Sequence, residues 1–200
     1  LRDHSSRQIL LLGLVNAAPV AVTSTLFLFY VESRLTAPEA AGPLLLLFFI
    51  SAALAAPLWT FLAERFGLKR VMRAAMALAI FSLFWVLFLN SGDVIAFAII
   101  CVLSGAAVGA DMTLIPAIFA QRIAHIGAST TDGFGLWSFV SKFSLAFAAV
   151  ILLPSLELAG FRPGQENSAA ALSVLTWTYA LVPCGLKLLA IMVLQRTDLR

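Results

Sequence analysis

The chain has 200 residues, 62% hydrophobic and 12% charged, about half the charged share of an ordinary soluble domain. With a mean hydropathy of +1.00, this excludes a soluble globular fold and points to an all-α integral membrane bundle. The net charge of +3 is spread over connecting loops, where it reads as membrane orientation and not as a nucleic-acid surface. Two cysteines, Cys101 and Cys184, both inside apolar runs, suggest neither a disulfide framework nor a cysteine metal site.

At about twenty apolar residues per crossing, six transmembrane spans are expected near 9–31, 42–63, 71–90, 94–119, 134–156 and 170–194, one domain over 1–200. The first is too long for a signal-peptide core. The chain begins at Leu1 and not at a methionine, so it is expected to start partway through a longer one. Asn16, Pro19, Thr23 and Tyr30 recur on roughly one face of the first span, a stripe that suits either a cavity wall or interhelical polar packing.

In the second span Pro57 loosens the helix, and Trp59, near the following loop, reads as an interfacial tryptophan. The fourth span carries Gly105 and Gly109 four residues apart beside Ala106 and Ala110, a spacing for close helix packing. Asp111 follows, about eight residues or roughly 12 Å from the end of that span, and Pro116 bends the helix one turn on.

In the fifth span Lys142 is the single charge between Phe134 and Leu156. An ionisable group at that depth is costly and marks function. Gly135, Ser138, Ser141 and Ala149 share its side of the wheel, with Phe139, Phe143, Phe147 and Val150 opposite, so the small and polar side is expected to face protein. Asp111 and Lys142 reach similar depths on consecutive antiparallel helices, and an ion pair between them is expected. Lys187 in the last span, with few residues beyond it, is expected to snorkel to the surface.

Lys and Arg are asymmetric. Arg2, Arg7, Arg65, Lys69, Arg70, Arg73, Arg122, Arg196 and Arg200 fall on one side, and only Arg34 and Arg162 on the other. The positive-inside rule makes both termini cytoplasmic, in an inner or plasma membrane.

The connection after the second span reads Glu64-Arg65-Phe66-Gly67-Leu68-Lys69-Arg70. Its glycine suits a tight turn, and its acid and bases can pair with one another and with helix ends. In a six-span chain it resembles the loop signature of the major facilitator superfamily: an acid, a base, any residue, glycine, then bases. Thr60 stands at its head where the signature has glycine.

Gly109-Ala110-Asp111-Met112-Thr113-Leu114-Ile115-Pro116-Ala117 and Gly135-Leu136-Trp137-Ser138-Phe139-Val140-Ser141-Lys142-Phe143 together resemble the tenth and eleventh helices of the glycoside-pentoside-hexuronide cation symporters, the melibiose permease family. That resemblance implies a C-terminal half, working with an N-terminal six-helix half or a second copy. It implies sodium- or proton-coupled uptake of sugars by alternating access, with Lys142 close to the sugar and cation sites. The coupling cation would be held mainly by carboxylates of the other half, with no further cofactor. The stretch Gln121 to Gly127 departs from the family, since Gln121, Ala124 and Gly127 stand where carboxylates are expected. His125 in that stretch is a titratable but most simply solvated group.

Asn16, Asp111, Trp137 and Lys142 are therefore expected to line one wall of a central cavity holding a small polar solute. An intramembrane enzyme is the weaker reading. The chain has two histidines, His4 and His125, and no HExxH or nucleophile elbow, and Lys142 near Ser138 and Ser141 has no oxyanion loop beside it. A six-helix module with an assembly role or a non-sugar solute is the alternative.

Overall fold

The computed structural model describes residues 4–125 and 130–197, without the side chains of 4–7, 122, 125 and 130–134. Arg2, Arg200 and Gly127 lie outside the described residues, as do the side chains of His4, Arg7, Arg122 and His125.

Among the described residues there are six α-helices: α1 (His4–Phe29), α2 (Ala41–Phe66), α3 (Leu68–Phe84), α4 (Val94–His125), α5 (Thr130–Leu158) and α6 (Ala169–Arg196). Each contains a stretch long and apolar enough to cross a bilayer. Prolines sit inside five of them, at Pro19, Pro57, Pro116, Pro154 and Pro183, which membrane helices tolerate where neighbours re-satisfy the backbone. The helices overrun the expected spans because their polar ends stay helical: α4 continues to His125, past an expected end at 119.

The connections are short. α1 unwinds through a π turn, Tyr30–Arg34, and Gly67 alone separates α2 from α3 at φ 87°, a left-handed conformation that costs glycine little. The signature loop is thus a one-residue break. Arg65 closes α2 with its guanidinium over the Phe66 ring at 5.6 Å, and Lys69 and Arg70 open α3. Glu64 makes no ion pair with these bases among the described residues, because all but Lys69 project into open surroundings.

The α1–α2 and α3–α4 connections are sewn together. Arg34 Nη2 donates to the Leu89 carbonyl at 2.7 Å, Tyr30 Oη to the Val86 carbonyl at 3.2 Å, and Gly92 N–H to the Leu35 carbonyl at 3.0 Å. Tyr30 also stacks between Phe97 and Tyr179, with centroids 5.2 Å and 4.8 Å away. The tyrosine of the expected polar stripe is therefore a core residue at one end of the bundle.

α4 lies against α2, α3 and α1, while α1 carries α5 and α6 on its other sides. Glycines allow the closest approach. A Cβ on Gly109 would stand 2.5 Å from the Ala52 carbonyl oxygen, and one on Gly105 would run into the Phe48 carbonyl, so α4 docks on the α2 backbone as the four-residue spacing implies. Trp59 locks the same pair, its indole N–H donating to the Ala106 carbonyl at 2.7 Å. The interfacial reading of Trp59 gives way to an interhelical one, because α4 offers an acceptor where the sequence shows only a nearby loop.

Two apolar cores result. One gathers Leu26, Tyr30, Phe97, Leu175 and Tyr179; the other, towards the chain termini, gathers Leu12, Met72, Met76, Ile115, Phe119 and Leu194. Between them runs a thin polar layer.

Candidate functional site

The polar layer is built from one residue on each of three helices. Asn16 on α1, Asp111 on α4 and Lys187 on α6 are all buried, at 3%, 9% and 2% exposure. The Lys187 ammonium donates to Asp111 Oδ2 at 2.5 Å and to Asn16 Oδ1 at 2.7 Å. Each helix places the residue by flanking it with core positions, such as Leu12 and Ala21, Ala110 and Leu114, or Cys184 and Ala190. A snorkelling lysine was expected here. Instead α6 holds Lys187 in the interior, because a carboxylate and an amide oxygen give its ammonium what water would.

The expected Asp111–Lys142 ion pair does not form. α5 packs through Ser144, Ala148 and Leu152, a face well turned from Lys142, so Lys142 is exposed along with Gly135, Ser138 and the aromatic ridge Phe139, Phe143 and Phe147. The helical wheel misplaces the packed side because small residues also cover the open surface of a bundle, and α1 accepts Ala148 and Leu152 as readily as glycine and serine.

A cavity of about 370 Å³ opens beside the polar layer, lined by Asn16, Asp111, Pro116, Trp137 and Ser141 among others. Lys142 follows Ser141 on α5 but is not among the cavity's lining residues. The benzo edge of the Trp137 ring abuts α1 at Gly13, where a Cβ would stand 2.7 Å from it, and its ring centroid is 5.3 Å from that of Phe119. Asp111 Oδ1 is buried and accepts no hydrogen bond. A buried acceptor left unmade costs about 1–3 kcal/mol. A tryptophan face, an amide and an underused carboxylate oxygen suit a solute bearing hydroxyl groups.

A second cavity, about 410 Å³, adjoins the first and is lined by Lys187 and mainly by apolar residues such as Phe27, Phe48 and Tyr179, with Thr23 and Ser104. Thr23 spends its hydroxyl on the Pro19 and Val20 carbonyls, so the α1 stripe divides: Asn16 serves the first cavity, and Pro19 and Thr23 the second. Among the described residues no group of His, Cys, Asp and Glu is arranged to hold a metal ion.

Lys187 is the site residue that sequence reasoning missed. The available signal was depth, since Asn16, Asp111 and Lys187 lie comparable distances from helix ends on one side of the bundle.

The sequence family described as MFS/sugar transport protein matches residues 1–200. No curated protein matches the chain. Among solved structures it is similar to the proton:xylose symporter XylE bound to 6-bromo-6-deoxy-D-glucose, at TM-score 0.68 and 20% identity over 96% of this chain and 44% of that one. It is also similar to XylE from E. coli in a partially occluded inward-open conformation (TM-score 0.68, 20% identity, 96% and 49% covered). The inward-open XylE gives TM-score 0.67 at 20% identity, with 96% and 47% covered. The chain thus spans about half the length of the transporter it matches, and identity this low shows the shared fold alone.

Proposed function

Because the chain belongs to the MFS/sugar transport protein family, a family of transporters and not of enzymes, we propose that it is one six-helix half of a cation-coupled secondary transporter for a sugar or related small polar solute. The complementary half is a second six-helix bundle, either an N-terminal half or a second copy. Two features support that pairing: the half-length match to XylE and the open faces of α2 and α5. The two bundles rock around a midplane site.

The single observation that carries this reading is the cavity on which Trp137, Asn16 and Asp111 converge. In it Trp137 stacks on the sugar ring, Asp111 and Asn16 take its hydroxyls, and Lys142 reaches from α5 towards the other half. Sodium or a proton drives uptake. The melibiose permease type of specificity rests on the Asp111 and Lys142 motifs. Nine bases against two support an inner-membrane orientation with both termini in the cytoplasm, where Glu64, Arg65, Gly67, Lys69 and Arg70 form the signature-like connection between α2 and α3.

The test is gradient-driven uptake of radiolabelled xylose, methyl galactoside and glucuronate into vesicles carrying the protein with its native upstream sequence. Uptake that collapses with the ion gradient is the expected result. A folded protein that moves none of the three would overturn the sugar reading in favour of another solute or an assembly role.

A further inference from the structure

Segments far apart in the chain meet at the end of the bundle away from its termini. The π turn Tyr30–Arg34 closes α1 there, and residues 85–93 join α3 to α4. Four hydrogen bonds cross between these connections: those of Tyr30, Arg34 and Gly92, and a fourth in which Thr36 Oγ1 and Ser91 Oγ stand 2.5 Å apart. The Thr36 hydroxyl spends its proton on the Leu35 carbonyl at 2.7 Å, so Ser91 is the donor to Thr36. Thr36 has φ 54°, a left-handed conformation that a β-branched residue adopts only where its surroundings impose it.

Packing holds the same place. Tyr30, Val31, Leu35 and Val86 are 0% exposed, the Tyr30 ring is sandwiched by rings from α4 and α6, and Phe29 meets Phe161, just beyond α5, edge to face at 5.7 Å. Resting on the transport reading above, we infer that this end is a permanent clasp. The outer ends of α1, α3, α4 and α6 stay together throughout the transport cycle, and access from outside opens along the seam with the complementary half, not by α1 bending away from its neighbours. Parting the connections would bare Leu35 and Val86 to water and break the four bonds together. The burial of those two side chains alone keeps the parted state below about one molecule in a hundred.

Any bend within α1 then falls further in. Pro19 removes a backbone donor in mid-helix, and Thr23 and Thr25 turn their hydroxyls back on the Pro19, Val20 and Ala21 carbonyls, both of which loosen a helix. Gly13 and Asn16, on the terminal side of that point, border the first cavity. A bend at Pro19 moves that wall while the clasp stays shut.

The experiment places a disulfide across the clasp. Thr36 and Ser91 are both exposed and their hydroxyl oxygens are already in contact, so Thr36→Cys/Ser91→Cys in the full-length protein should crosslink with copper phenanthroline, read by mass spectrometry of the joined peptides. In proteoliposomes the crosslinked protein is expected to move whichever of the three sugars its reduced form moves, at a rate within about twofold, with the unaltered protein under the same oxidant as control. A deeper loss that dithiothreitol restores, or a pair that will not crosslink in folded protein, overturns the inference. A substrate-free readout separates the clasp from the sugar assignment. Hydrogen exchange at the Gly92 amide, which donates to the Leu35 carbonyl, should be slowed at least about a hundredfold against an unprotected amide. Transport of none of the sugars with that amide protected sinks the sugar reading alone, and an amide exchanging at close to the unprotected rate sinks the clasp, whatever the protein carries.

Discussion

The two lysines inside the membrane spans end in opposite surroundings. Lys187 is 2% exposed and bonded to two oxygens, on a helix wedged against α1 and α3. Lys142 stands on the open surface of α5, whose span is 17% buried, like that of α2 at 11%, where the other four reach 39% to 50%. The difference separates two settings. One lysine is held in the interior by two acceptors on neighbouring helices; the other stands on the open surface of its own helix.

That division breaks most visibly at Lys187. Lys187→Ala leaves Asp111 an unpaired buried carboxylate, and removing one partner of such a pair costs about 3–5 kcal/mol. Thermal unfolding in detergent should drop by roughly 10 °C, with most of it regained in Asp111→Asn/Lys187→Met. An unchanged midpoint would mean that water already reaches the pair.

A smaller loss is expected where the open helix α2 is pinned to the packed side. Gly109→Val drives a branched side chain into the Ala52 backbone, an overpacking worth about 1–3 kcal/mol. Crosslinking between cysteines placed on α2 and α4 should weaken in parallel, and crosslinking as strong as before would show that the two helices have slack between them.

Smaller again is Gly13→Ala. Its methyl group meets the Trp137 ring at 2.7 Å, and a displaced tryptophan should raise the sugar KM by about threefold to tenfold, near 1 kcal/mol, with little change in folding. A KM that stays put would remove Trp137 from the sugar site. Least of all in stability is Lys142→Ala, within about 0.5 kcal/mol, although coupled uptake by the full-length protein should be abolished. Normal uptake by that variant would end the case for Lys142.

The six helices were legible because a bilayer demands length and apolarity of every crossing, and the glycine pair at 105 and 109 carried its own packing instruction. Asp111, Asn16 and Trp137 were legible as polar or aromatic interruptions, and the fold brings all three to one cavity. The partner of Asp111 was not. Depth alone made Lys142 and Lys187 equivalent, and what separates them is which face each helix turns to α1 and α4, a matter of tertiary packing that helical period does not encode. Trp59 shows the same limit, since proximity to a loop said nothing of an acceptor on α4.

The order in which the chain is made gives these contacts a timetable. Tyr30, Arg34 and Leu35 find their partners at Val86, Leu89 and Gly92, so the stitched end of the bundle can close as soon as three helices exist. Asp111 has to wait. Its counter-ion is 76 residues further on, an interval of roughly 4–15 s at ordinary rates of synthesis. During that time a carboxylate sits in a nascent helix with its ammonium still unmade, and insertion of α4 becomes the step at which the ribosome's pace and the membrane machinery have most to manage.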